Sequence, residues 1–186
     1  MIKIPTLFLR NEQNMKLVTR EVNPDAIWVF DGKAIPTVKK DGTNIRVTVR
    51  NGMCTYAEKR RNPTREEKAN GAEPGYVAVD ERDPQNQHIL SAITHTDYTG
   101  WPDGAWPCEA LGPKIQGGVE ASQPMLYSFV LHPLVIAEPF ELTFDGIQRF
   151  LTTHAIEGIV WHDENHYRYA KIKRRDFGLP WPVKRG

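Results

Sequence analysis

Ala34-Ile35-Pro36-Thr37-Val38, then Lys39-Lys40-Asp41-Gly42-Thr43, then Asn44-Ile45-Arg46-Val47-Thr48-Val49 is where the architecture of this chain declares itself. The first five residues read as a strand, Lys39 to Gly42 as a charged turn, and Asn44 to Val49 as a strand of alternating character. Asn51-Gly52 follows at once, a two-residue hairpin signal, and Met53 to Ala57 is placed to return antiparallel. This part of the chain is therefore expected to be antiparallel sheet.

Downstream, Thr64-Arg65-Glu66-Glu67 behind Pro63 predicts a short helix within Asn62 to Gly71. Glu73 to Pro107 is rich in Pro, Gly, Asp and Asn, and its pattern specifies little beyond a turn at Trp101-Pro102-Asp103-Gly104. Trp106 to Leu111 reads as a short strand ended by Gly112-Pro113, and Gly117-Gly118 as a loop. Tyr127 to Ile136 is apolar enough for a buried strand interrupted at His132-Pro133. Phe144, Ile147, Phe150 and Leu151 share one helical face behind Thr143, a suitable cap. Ile156 to Trp161, a turn at Asp163-Glu164-Asn165, and Tyr167 to Lys173 form a predicted hairpin. The fold class is α+β, mostly antiparallel sheet with flanking helices, in a single domain over residues 1–186.

With 186 residues, 40% hydrophobic and 25% charged, the composition is that of an ordinary globular domain. A formal net charge of +1 excludes the global basic field of many passive nucleic-acid binders. Positive charge is instead gathered at Lys39-Lys40, Lys59-Arg60-Arg61, Lys171-Ile172-Lys173-Arg174-Arg175 and Lys184-Arg185. Cys54 and Cys108 are the only cysteines, which suits reduced thiols better than a disulfide framework. The histidines, His162 and His166 included, have no zinc-site spacing. Met1-Ile2-Lys3-Ile4-Pro5 has no signal-peptide run and no segment has transmembrane length, so a cytoplasmic location is expected.

Lys39, Glu157 and the pair Lys171 and Lys173 carry the chemistry. A lysine with a free pKa of about 10.4 becomes a nucleophile only when positive neighbours, a metal or desolvation remove its proton. Lys39 sits between a strand and a tight turn, Asp41 can position it or a metal-bound water, and Gly42 allows close backbone approach. Glu157 opens an otherwise apolar strand, as a surface residue or as a hard ligand for Mg²⁺. Lys171 and Lys173 share a parity and so face one side of their sheet, towards solvent or a phosphate. Glu109, at a strand, is a second acid for a ribose hydroxyl or a metal. Arg60 and Arg61 suit a 5′-phosphate or a solvated surface, Lys114 a phosphate or a solvated loop, and His95, Trp101 and Trp106 a base, with packing the better reading of both tryptophans.

These residues resemble the motifs of the covalent nucleotidyltransferases: DNA ligases, RNA ligases and mRNA capping enzymes. Lys39-Lys40-Asp41-Gly42 is similar to motif I, Glu109 to Gly112 to motif III, Glu157 to Val160 to motif IV, and Lys171 to Lys173 to motif V. Longer stretches are similar to small ATP-dependent RNA ligases of vertebrates and phages: Glu109-Ala110-Leu111-Gly112-Pro113-Lys114-Ile115-Gln116-Gly117, Ile156-Glu157-Gly158-Ile159-Val160-Trp161-His162 and Gly178-Leu179-Pro180-Trp181-Pro182. The resemblance implies an ATP-grasp-like adenylation domain in which Lys39 takes AMP and Glu157 holds Mg²⁺ or Mn²⁺. Lys171 and Lys173 would hold the α-phosphate, and Glu109 would touch ribose or metal. It implies Arg61, with Arg60 close behind, as the motif Ia arginine, and Phe129 or Phe140 for base stacking. The partner would be RNA with 5′-phosphate and 3′-hydroxyl ends, with no membrane and no obligatory protein partner. So few residues follow motif V that no OB-fold is expected. A minimal DNA ligase, a capping enzyme, a protein AMP-transferase and a non-catalytic ATP- or RNA-end-binding module are the alternatives.

Overall fold

The computed structural model describes residues 4–163, 165 and 168–183. Met1 to Lys3, Glu164, His166, Tyr167, Lys184 and Arg185, which figure in the reading above, lie outside the described residues. In chain order the elements are β1 (Phe8–Asn11), β2 (Asn14–Val22), β3 (Ile35–Lys39), β4 (Thr43–Arg50), β5 (Met53–Arg61) and α1 (Arg65–Ala69). There follow β6 (Gly75–Ala78), α2 (Gln87–His95), β7 (Gly104–Leu111), β8 (Met125–Tyr127), α3 (Phe144–Thr153), β9 (Gly158–His162) and β10 (Tyr169–Lys173). All strand pairs within the sheets are antiparallel, so the protein is α+β with mostly antiparallel sheet. Among the described residues no helix is long and apolar enough to cross a membrane. The single domain expected from length is built as two compact units, Asp41–His132 and Ile2–Lys40 with Pro133–Gly186.

The second of these units holds the sheet β10-β9-β3 and the hairpin β1-β2. Alternation decides which face is buried. Ile159, Trp161, Ala170 and Ile172 join Leu7, Phe8, Val29, Ile147 and Leu151 in one apolar core. Residues of the other parity, Thr37, Lys39, Gly158, Val160, Lys171 and Lys173, therefore share the opposite face. The helix predicted from Phe144, Ile147, Phe150 and Leu151 forms as α3, and the Thr143 hydroxyl accepts the Gly146 N–H at 3.1 Å as its cap.

The unit Asp41–His132 is organised by the five-stranded sheet β6-β5-β4-β7-β8. Ile45, Val47 and Val49, all fully buried, pack with Cys108, Ala110, Leu126 and the Ile89 and Ala92 side of α2. Asn44, Arg46 and Thr48 alternate to the far face. The short predicted helix is α1, held by a capping box between Thr64 and Glu67.

Two predicted segments fold differently. The strand expected over Tyr127 to Ile136 stops at Tyr127. There the Ser128 hydroxyl accepts the Leu131 N–H and its carbonyl accepts the His132 N–H, which turns the chain. The return strand after Asn51-Gly52 extends past Ala57 to Arg61, so Arg60 and Arg61 are strand residues on opposite faces rather than loop residues.

Candidate active site

Lys39 ends β3 and Glu157 immediately precedes β9. The Lys39 ammonium donates to the Glu157 carboxylate at 2.5 Å and to the Lys40 carbonyl at 3.1 Å. The Glu157 side chain is only 8% exposed, so its buried charge needs compensation, part of which that lysine supplies. Strand register explains the meeting. Lys39 and Lys173 both pair with Gly158, making one transverse row across the sheet, and Thr37, Val160 and Lys171 make the next. A side chain at Gly158 would overlap the Ile172 carbonyl and the Lys173 Cα, so only glycine fits between the two lysines.

Two buried charged residues brace this row. The Arg174 guanidinium donates to the carbonyls of Leu151, His154 and Pro180, while its N–H donates to the Glu157 carbonyl at 2.9 Å. Asp176 accepts the Lys173 N–H at 2.8 Å and Arg10 at 2.7 Å. Burial, then the charges of Lys39 and Lys173, push the Lys171 ammonium down from 10.5 to about 8. Neither Lys171 nor Lys173 makes a side-chain ion pair among the described residues. Three lysines thus gather beside the carboxylates of Glu157 and Asp176 on a half-buried surface, an excess of positive charge that favours the arrival of an anion.

In the other unit the far face of the five-stranded sheet carries a second row. Arg60 pairs with Tyr76, and Glu109 lies between Asn44 and Tyr127; extending the β4–β5 ladder by one position sets Asn44 beside Arg60. The row runs Tyr76, Arg60, Asn44, Glu109, Tyr127. The Tyr76 hydroxyl donates to the Asn44 amide oxygen at 2.5 Å, and the Asn44 amide N–H₂ lies 3.5 Å from both Glu109 and the Cys108 carbonyl. Arg46 is bound to Glu58 at 2.6 Å and lies over the Tyr76 ring. Arg60 faces this network and has no ion-pair partner among the described residues. Arg61 points the other way and binds both oxygens of Glu67 at 2.7 Å, where it supports the α1 cap. Of the two arginines, Arg60 is thus the one on the polar row.

The Asp41-Gly42 turn is pinned in the same unit. The Asp41 N–H donates to Glu120 at 3.0 Å. A Cβ on Gly42 would lie 2.5 Å from the Ala110 carbonyl and 2.8 Å from the Leu111 side chain. Glu109 and Glu157 belong to different units. Among the described residues no three His, Cys, Asp or Glu side chains form a group able to hold a metal.

The other candidate residues make internal contacts, as the packing reading of Trp101 and Trp106 expects. Trp101 is buried against Tyr98 and His132, and Phe140 packs on Phe150. Trp106 donates its indole N–H to the Pro102 carbonyl, and His95 donates its Nδ1–H to the Ser91 carbonyl of its own helix. Lys114 lies exposed at the rim of a shallow pocket shared with His88, Ser91 and Pro124. Burial pushes the Cys108 thiol up to about 12, which leaves it unreactive. Sequence reasoning missed Tyr76, Glu120 and Arg174. Tyr76 and Glu120 lie in stretches without a readable period, and Arg174 looked like one more member of a basic run. No family model and no curated protein matches the sequence, so these local geometries carry the functional reading.

Proposed function

We propose that this protein is an ATP-dependent RNA ligase that joins 5′-phosphate to 3′-hydroxyl ends through a lysyl-AMP intermediate. The observation that supports the reading most is the transverse row Lys39–Gly158–Lys173, with Lys171 beside it and Glu157 at 2.5 Å from the Lys39 ammonium. Within the α+β class, an ATP-grasp-like adenylation domain is the finer fold that accords with this site.

Lys39 gives up its ammonium proton to solvent, and its amine attacks the α-phosphorus of ATP. A nitrogen–phosphorus bond forms, the bond from that phosphorus to the bridging oxygen breaks, and pyrophosphate leaves. Lys171 and Lys173 stabilise the charge that grows on the non-bridging oxygens. Next the 5′-phosphate of RNA attacks the same phosphorus, returning the lysine and giving an RNA capped by AMP. A 3′-hydroxyl then attacks the RNA phosphate and AMP leaves. Arg60, half-buried and without an ion-pair partner among the described residues, suits the 5′-phosphate, and Glu109 suits a ribose hydroxyl or metal.

The buried Glu157 carboxylate suits Mg²⁺ or Mn²⁺ shared with nucleotide phosphates rather than a cage of protein ligands. Bound there, the cation would neutralise phosphate charge and draw Glu157 away from Lys39. The test is to supply ATP, Mg²⁺ and a nicked duplex or loop with 5′-phosphorylated RNA, beside the same ends in DNA. Joining of RNA alone is expected. Preference for DNA would favour the minimal DNA ligase, and ATP binding with no joining would favour a non-catalytic module.

A further inference from the structure

Arg10 lies outside the lysine row, yet one buried acid ties it there. It sits in β1 opposite Val18, between two breaks in the register of the β1–β2 hairpin. Such irregularities re-aim a side chain, and the Arg10 guanidinium reaches Asp176 in the turn that follows β10. It donates to one Asp176 oxygen at 2.7 Å and, more weakly, to the Lys16 carbonyl at 3.3 Å. The other Asp176 oxygen accepts the Lys173 N–H at 2.8 Å. Asp176 is 2% exposed, so water does little to compensate its charge.

This arrangement keeps the carboxylate off the ammonium groups beside it. Asp176 is close enough for its charge to act on Lys171, opposing the lowering that burial, Lys39 and Lys173 impose. Among the described residues, however, it makes its ion pair with Arg10 and none with Lys171 or Lys173. Without the guanidinium, a buried carboxylate would gain most by turning to the nearest ammonium. The positive excess that draws an anion would then shrink.

We infer that Arg10 is a positioning residue for anion binding: it holds Asp176 on the Lys173 N–H, fixing the end of β10, and so leaves Lys171 and Lys173 available to a phosphate. The inference rests on the reading of those lysines as phosphate ligands. All four residues belong to the one compact unit of Ile2–Lys40 and Pro133–Gly186.

The experiment uses wild type, Arg10→Met, Arg10→Lys and the double variant Arg10→Met with Asp176→Asn. Calorimetry gives the affinity for α,β-methylene-ATP, whose α–β bridge does not break. Labelling with ATP gives the maximal rate and the half-saturating concentration of lysyl-AMP formation. Arg10→Met keeps an apolar stem and removes the charge. It should weaken analogue binding and raise the half-saturating concentration by about tenfold, the scale of one charge acting over several Å, with the maximal rate little changed. Arg10→Lys should restore most of the affinity. Adding Asp176→Asn to Arg10→Met should restore it too, because the amide oxygen still accepts the Lys173 N–H while the unbalanced charge is gone.

Arg10→Met that binds like wild type would overturn the inference. So would a defect that Asp176→Asn fails to relieve, or a fall in maximal rate with affinity unchanged, since a merely structural brace predicts those results. Analogue binding by wild type without any lysyl-AMP would strike the nucleophile reading alone, and the affinities would still decide the role of Arg10. No analogue binding by folded wild type would overturn the phosphate reading of the lysines and the inference with it.

Discussion

The two sheets treat the face turned away from their cores in opposite ways. On the five-stranded sheet the polar groups satisfy one another: Arg46 with Glu58, Tyr76 with Asn44, and Asn44 with Glu109. On the three-stranded sheet Lys39, Lys171 and Lys173 share a face, with Glu157 and Asp176 offsetting only part of their charge, and the Lys171 pKa is lowered. The first surface is largely paired within itself, with Arg60 the cation that has no ion-pair partner among the described residues. The second carries a repulsion that an anion would relieve, and such unrelieved cost is characteristic of sites kept for function rather than stability.

Removing charge from the unsettled face should break this contrast most strongly. Lys171→Met is expected to slow lysyl-AMP formation by about 10²–10³-fold, the scale for losing one stabilising contact to a developing oxyanion. The same change removes a half-buried cation from its like-charged neighbours, so the melting temperature should rise by about 2–4 °C for each kcal/mol gained. Quenched-flow labelling and calorimetry together check both signs. A loss of activity with a fall in melting temperature would mean that Lys171 is a structural residue.

Proton linkage sharpens the same contrast. Lys171 loses its proton at about 8 in the fold and at 10.5 in the unfolded chain. Between these values the unfolded chain binds the extra proton, so this group's contribution to stability rises with pH. Nucleotide affinity should move the opposite way, holding below about pH 8 and weakening above it as the phosphate-binding charge is lost. Titration calorimetry in buffers of different ionisation enthalpy should show proton uptake on ATP binding near pH 8, absent in Lys171→Met.

Much of this was legible in the sequence where period and chemistry agreed. Alternation from Asn44 to Val49 gave β4, and the shared parity of Lys171 and Lys173 put both on the face where Lys39 also lies. The apolar stripe of Phe144, Ile147, Phe150 and Leu151 gave α3. Helix α2 was hidden by flanking Pro, Asp and Asn, although Ile89, Ala92 and Ile93 keep the helical spacing. What sequence does not carry is long-range reach. Nothing local to Glu120 marks it as the acceptor for the Asp41 N–H, and nothing in Gly-Tyr-Val-Ala predicts that Tyr76 bridges to Asn44. The choice between Arg60 and Arg61 likewise needed the strand register, because adjacent residues of a strand face opposite ways.

That choice gives the smallest and most specific prediction. Arg60→Ala should leave lysyl-AMP formation near wild type and lower transfer to the RNA 5′-phosphate by about tenfold or more, the scale of a charge-assisted contact. Arg61→Ala should leave both steps intact and change stability little, as loss of an exposed ion pair does. Gel assays of the separate steps distinguish them, and the reverse pattern would exchange their roles.

The most direct test of the account is incubation with α-labelled ATP and Mg²⁺, followed by denaturation and peptide mapping, for wild type and Lys39→Ala. The site geometry predicts one AMP bound to the peptide containing Lys39, acid-labile and stable to denaturant, and none in the variant. Label on another lysine, or no label in folded protein free of pre-bound AMP, would contradict the assignment of Lys39 as the nucleophile.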